Sequence, residues 1–320
     1  MREAGIKESG RGMDILERRR TLLFVVLAVA AWGVVFIVAK ARRASASEEL
    51  QHRWQIAEGK FWEAASESVE DVTVTDFSEG TRGRCPEGMV EVQGHALTEG
   101  WGYADEVEVL QGSTCEDWIG HKSGERCARF NRERWLALSR GIRSAPMHFC
   151  VDRFEYPNRR GAYPWIMATW NEARGICARE GKRLCTEAEW TFACEGEEGV
   201  PYPYGYARDA EACVIDRPHR DVDEAALFPR DTEHTLVEID HLWQGEPSGS
   251  RPRCRSPFGV YDMTGNVDEW TTSVVVGERP SILKGGYWGP VRTRCRPSTR
   301  AHGETFAYYQ IGFRCCSDPP

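Results

Sequence analysis

The first strong pattern along the chain is a run without charge. From Thr21 to Ala39 the sequence TLLFVVLAVAAWGVVFIVA holds nineteen residues without a charged side chain, roughly 28 Å as a helix and about the thickness of a hydrocarbon core. It predicts one transmembrane helix over 21–39, after a polar arm over 1–20 that ends in Arg18, Arg19 and Arg20. A cleaved signal peptide is the competing assignment, because Ala44-Ser45-Ala46 resembles a small-residue cleavage site. The run is long for a signal core, however, and Lys40, Arg42 and Arg43 precede that site, so length favours the anchor. Beyond it, Leu50, Trp54, Ala57, Phe61 and Ala65 recur at helical spacing among Glu, Gln and Lys. They predict an amphipathic helix within a stalk and linker over 40–84, whose last part, Glu67 to Arg84, is acidic and rich in Ser and Thr.

From Cys85 to the end the pattern is that of a folded domain, 85–320. Met89-Val90-Glu91-Val92 alternates like a strand, and Phe149 to Phe154 reads as another. Between them lies a polar insertion holding Cys115 and Cys127, twelve positions apart and suited to a local bridge. Helical spacing predicts a helix from about Asn171 to Glu180 that stops at Gly181, then a second that starts on Thr186, with Glu189 completing a capping box. Between Pro257 and Trp270, Asp262, Asn266, Asp268 and Glu269 surround Gly265. Such a loop suits a hard cation, or else a turn whose Asx side chains bond their own backbone.

The chain has 320 residues and a net charge of -8, which excludes a basic nucleic-acid surface beyond the N-terminal arm. Its 12 cysteines all follow the apolar run and include no Cys-x-x-Cys pair. They point to disulfides in an oxidising compartment, and so to an exported domain on the periplasmic or extracellular side. His148, His234, His241 and His302 show no metal-ligand spacing and read as surface or hydrogen-bonding residues.

The stretch Gly181-Lys182-Arg183-Leu184-Cys185-Thr186-Glu187-Ala188-Glu189-Trp190 resembles a signature of the formylglycine-generating enzyme, or sulfatase-modifying factor, family. Four more motifs follow in that family's order: Tyr202 to Gly205, Phe258 to Trp270, Lys284-Gly285-Gly286, and Ile311 to Arg314. The resemblance implies a compact α+β domain with a C-type-lectin-like fold, poor in regular secondary structure and stapled by disulfides. It implies pairs Cys177–Cys315 and Cys194–Cys295. Cys213 with Cys254 and Cys85 with Cys150 are assigned as further pairs, and Cys185 and Cys316 are left to pair or to stay free.

The family's oxidases hold copper between two cysteines after the Gly-Gly motif. Here the forward count from Gly286 places the first at Pro290 and the second at Cys295, whereas the count back from Cys315 makes Cys295 a structural cysteine. Either way the thiol pair is incomplete and no copper is expected. The resemblance also implies a Ca2+ site at Asp262, Gly265, Val267 and Glu269; a second family site starts at a position occupied here by Cys213 and is not carried over. Asp268 stands where the family has tryptophan.

The expectation is a membrane-anchored, exported, non-catalytic binding or scaffold module, with Trp288, Arg292, Arg300 and Tyr308 as candidate groove residues. Its partners would be the membrane and an envelope protein or a glycan, with no nucleic acid. The alternative is an oxygen-dependent protein-modifying oxidase of the same superfamily that uses a different centre. A sugar-binding module follows only by analogy with lectin-like folds.

Overall fold

The computed structural model describes residues 54–57, 61–64, 85–98, 105–120 and 126–319. The predicted arm, transmembrane helix and acidic linker lie outside them. Among the described residues no helix is long and apolar enough to cross a membrane. The chain divides into two compact units, Met1–His52 and Arg53–Pro320, and every described residue belongs to the second.

One expectation is corrected at once. Where a stalk helix was predicted around Trp54, Ala57 and Phe61, β1 (Trp54–Ala57) pairs antiparallel with β2 (Phe61–Ala64). Trp, Ile and Phe favour strands, and Gly59 between the two runs weakens a continuous helix, so local propensity prevails over a 3.6-residue spacing.

Two four-stranded sheets carry the domain. In the first, β3 (Met89–Leu97) lies antiparallel along β6 (Ser144–Asp152), from Met89 opposite Asp152 to Leu97 opposite Ser144. The sheet continues through β12 (Cys315–Ser317) to β7 (Arg183–Leu184). β3 runs past the predicted Met89 to Val92 because Ala96 and Leu97, at its far end, are also buried. The second sheet has the order β10 (Ser298–Thr299), β9 (Ser281–Lys284), β8 (Asp268–Thr272), β11 (Ile311–Phe313), with β11 parallel to β8. Arg314 alone separates β11 from β12, so one short C-terminal run closes both sheets.

The polar insertion folds as α1 (Glu106–Gly112), a hairpin of β4 (Cys115–Ile119) and β5 (Arg126–Phe130), and α2 (Arg132–Ser139). α3 (Trp170–Arg179) starts one residue before the predicted boundary, because Thr169 and Glu172 form a capping box ahead of it. It ends where Lys182 N–H returns to the Cys177 carbonyl, 2.9 Å away, around Gly181 at φ +71°. α4 (Glu187–Glu195) starts on the Thr186/Glu189 box. α5 (Glu233–Leu242) follows later in the chain. α3 and α4 bring Cys177, Cys194 and Trp190 into two buried clusters.

Six disulfides join the 12 cysteines. They are Cys85–Cys150, Cys115–Cys127, Cys177–Cys315, Cys185–Cys316, Cys194–Cys295 and Cys213–Cys254. Cys185 and Cys316, left open above, form the sixth pair, from the residue that follows β7 to its neighbouring strand β12. No cysteine retains a thiol.

Candidate functional site

Three sequence motifs meet at one buried point. Trp190 from α4 donates its indole N–H to Glu269 Oε2 at 2.8 Å. Arg314, between β11 and β12, donates to both Glu269 oxygens at 2.6 Å. The same guanidinium reaches the Tyr261 carbonyl at 2.9 Å and the Asp152 carbonyl at 3.2 Å. Both side chains of the pair are shut off from water. A buried carboxylate needs a partner of this kind, and the planar guanidinium supplies a two-pronged one. These motif residues therefore hold the fold together.

The loop from Pro257 to Trp270 turns beside this pair. Asp262, Gly265 and Asn266 all adopt positive φ. At Gly265 a Cβ would come within 2.4 Å of the Val214 carbonyl, so only glycine fits. Asn266 Nδ2 donates to both oxygens of Glu155 at 3.0 and 2.9 Å, and its Oδ1 accepts the Glu246 N–H at 2.9 Å. Ser248 donates to Glu155 at 2.6 Å, and Asp262 accepts the Gly249 N–H at 2.7 Å.

Glu155, Asp262 and Glu269 thus share the field of one buried cation, Arg314. Burial, then the charges of Asp262 and Glu269, push the Glu155 carboxyl well above the usual carboxylate range. Burial also raises Asp262 to about 7, against the Gly249 hydrogen bond and Arg314. Carboxyls raised in this way keep protons that a hard cation at Asp262 would have to displace. The Glu269 oxygens, by contrast, are taken by Arg314 and Trp190. Among the described residues no three His, Cys, Asp or Glu side chains are grouped to hold a metal ion, so a calcium site here would depend on carbonyls such as those of Gly265 and Val267.

On the other side of β8 lies a cavity of about 240 Å³, lined by Asp268, Leu283, Lys284, Gly285, Gly286, Tyr287, Val291, Arg292, Pro297 and Thr299. Strand alternation explains the division, since Glu269 points toward Trp190 and Arg314 and Asp268 the opposite way. Burial pushes Asp268 to about 7, opposed by a hydrogen bond from the Gly286 N–H. Gly285 takes φ +88°, and a Cβ there would stand 2.9 Å from the Met263 carbonyl. Lys284 is lowered to about 8 by burial, and its ammonium donates to the Arg296 carbonyl at 2.5 Å.

The segment over 291–297 walls this cavity and is fixed from behind. Cys295 is bonded to Cys194 of α4. Arg294 reaches Gln111 and Glu108 of α1, each at 3.2 Å. Arg296 grips Glu195 at 2.8 and 2.6 Å and Asp105 at 3.1 and 3.2 Å. The acidic start of the insertion thereby anchors alternate arginines of the segment that follows the Gly-Gly motif.

Burial raises Glu195 from 4.5 to about 7, in opposition to Arg296. The folded state keeps a proton there that the unfolded chain has already released, so this contribution to stability is full below pH 4.5 and lost as pH rises through about 7. Glu195→Gln should remove that part of the decline in unfolding temperature between pH 5 and about 7.5. An unaltered pH profile would show that Glu195 does not titrate in this range.

Of the four candidate groove residues, Arg292 lines the cavity. Trp288 is 1% exposed and packs edge-on against Trp243 at 4.7 Å. Arg300 is held by Glu187 at 2.7 Å and by Glu278 at 2.9 Å. Tyr308 donates to Glu224 at 2.5 Å. The last three do not line the cavity that Arg292 lines. Sequence reasoning missed Tyr287 and Lys284 as lining residues; the visible signal was Asp268, the departure from the family's tryptophan.

The model of a family described as sulfatase-modifying factor enzyme 1-like domain matches residues 147–319. An inactive C-alpha-formylglycine-generating enzyme 2 from Bos taurus is 33% identical over 165 residues, 48% of this chain and 50% of that protein. A formylglycine-generating enzyme from Mycobacterium tuberculosis is 28% identical over 188 residues, 50% of this chain and 59% of its own length. The chain spans about half the length of the curated relatives it matches. Among solved structures, PvdO from Pseudomonas aeruginosa aligns with a TM-score of 0.43 at 17% identity, covering 73% of this chain and 95% of that one.

Proposed function

Because the chain belongs to the sulfatase-modifying factor enzyme 1-like family, we propose that it is an exported, membrane-anchored binding or scaffold module that keeps the fold without thiol–copper oxidase chemistry. One observation carries this reading: every cysteine is joined in a disulfide, Cys295 to Cys194 among them. Soft Cu(I) calls for thiolates, and a disulfide sulfur offers none. Pro290 stands where the forward count puts the first thiol. Relatives from Bos taurus and Mus musculus bear names that call them inactive, in keeping with this reading. The partner would be an envelope protein or a glycan, met through the cavity beside β8.

Calcium belongs to the same proposal. Asp262 with the Gly265 and Val267 carbonyls would hold the ion beside Glu155, and Glu269 would join only by leaving Arg314. The ion would supply charge compensation and loop rigidity rather than catalysis.

Full-length protein in detergent tests both parts. Titration with Cu(I) against a competing chelator should show no stoichiometric copper, and a cysteine peptide should provoke no oxygen uptake. One tightly held copper with oxygen uptake would establish the oxidase alternative instead. Calcium added to chelator-treated protein should raise the unfolding temperature, and Asp262→Asn should abolish the rise. A rise that survives Asp262→Asn would place the ion elsewhere.

A further inference from the structure

We infer that the cavity beside β8 takes a small molecule through a primary ammonium group, with Asp268 as its counter-charge and the Tyr287 ring as one wall. This rests on the binding-module reading and adds the chemical class of the ligand.

Two potential cations and one anion line the cavity; Lys284 is engaged elsewhere, and the exposed Arg292 has a carboxylate neighbour of its own. The Lys284 ammonium donates to the Arg296 carbonyl at 2.5 Å, lies 3.4 Å from Ser298 Oγ, and stands 5.5 Å from the centre of the Trp190 ring. The exposed Arg292 guanidinium has Glu108 as its carboxylate neighbour at 3.9 Å. Asp268 has the Gly286 N–H as a donor, and no cationic side chain among the described residues forms an ion pair with it. A carboxylate has about four acceptor sites, so one N–H leaves most of its capacity unused.

An ammonium group meets both needs at once, bringing three donors and the missing positive charge. A carboxylate or phosphate ligand would face like charge at Asp268. A neutral hydroxyl would satisfy hydrogen bonding without compensating the charge. Tyr287 lines the cavity with an aromatic ring, a group that attracts cations, while Leu283, Val291 and Pro297 line it with apolar side chains suited to an apolar stem.

Calorimetric titration of the full-length protein in detergent at pH 8 with benzylammonium chloride, benzyl alcohol and sodium benzoate tests this. Benzylammonium should bind at one site, about tenfold or more tighter than the alcohol, and benzoate should bind no better than the alcohol. This comparison uses the unaltered chain and needs no variant to fold. Asp268→Asn keeps an acceptor for the Gly286 N–H and should weaken benzylammonium by about tenfold in a variant that still unfolds cooperatively. Benzoate binding as tightly as benzylammonium would overturn the ammonium inference and leave the binding-module reading standing. Equal benzylammonium binding by Asp268→Asn would overturn it as well. Failure of all three probes would overturn both the inference and the cavity's place in the binding-module reading.

Discussion

Replacing Arg314 by methionine should destabilise the domain by about 3–5 kcal/mol at pH 8, the usual consequence of leaving one member of a buried ion pair alone. Glu269 would lose the guanidinium that holds both its oxygens, and the Tyr261 carbonyl would lose its donor. Glu155 and Asp262, whose carboxyls burial already raises, would lose the Arg314 charge that opposes that rise. The deficit should depend on pH. Carboxyls with raised folded-state pKa values take up protons that the unfolded chain releases, so their contribution is present at low pH and lost as pH rises. Urea unfolding of the variant should therefore show a smaller deficit at pH 5.5 than at pH 8. Arg314→Met with Glu269→Gln should recover part of the loss at pH 8, because the orphaned charge is gone. A deficit below about 1 kcal/mol, the range of exposed ion pairs, would contradict the structural role assigned to this pair.

Removing the Cys194–Cys295 bridge should also be severe. The bridge spans a sequence separation of 101, and the loss of loop closure alone comes to about 4–5 kcal/mol in the chain-entropy account. Cys115–Cys127 spans 12 positions, so its removal should cost about 3 kcal/mol or less. Comparing double alanine variants of each pair by urea unfolding checks the order. Cys194→Ala with Cys295→Ala should also release the segment whose arginines grip α1, and its amides should exchange hydrogen faster. If the double variant kept its stability but lost a bound copper, Cys295 would be a catalyst rather than a staple.

The parts legible in the sequence are those where one residue type admits few alternatives. Thr186 and Glu189 announce the start of α4, Gly181 the end of α3, and the order of five motifs the family. The pairing Cys177–Cys315 follows the family's helix cysteines and is present here. Other parts depend on contacts that no local pattern carries. Trp54 and Phe61 fit a helical stripe and a hairpin equally well, and strand pairing settles the matter. The loop at Asp262 to Glu269 reads as acidic, yet the sequence cannot show that Arg314, 45 positions away, takes both Glu269 oxygens. Trp288 looks like a groove aromatic until Trp243 covers it. Asp268 could be noticed only as a departure from the family; its place in a cavity with Tyr287 follows from the two faces of β8.

Mass spectrometry after alkylation tests the central claim most directly. Full-length protein, denatured without reductant in excess N-ethylmaleimide, should gain no adduct, because all 12 cysteines are paired. After reduction, it should gain adducts at every cysteine. An adduct formed at Cys295 before reduction would contradict the account, since a free thiol there would reopen copper chemistry beside the Gly-Gly motif.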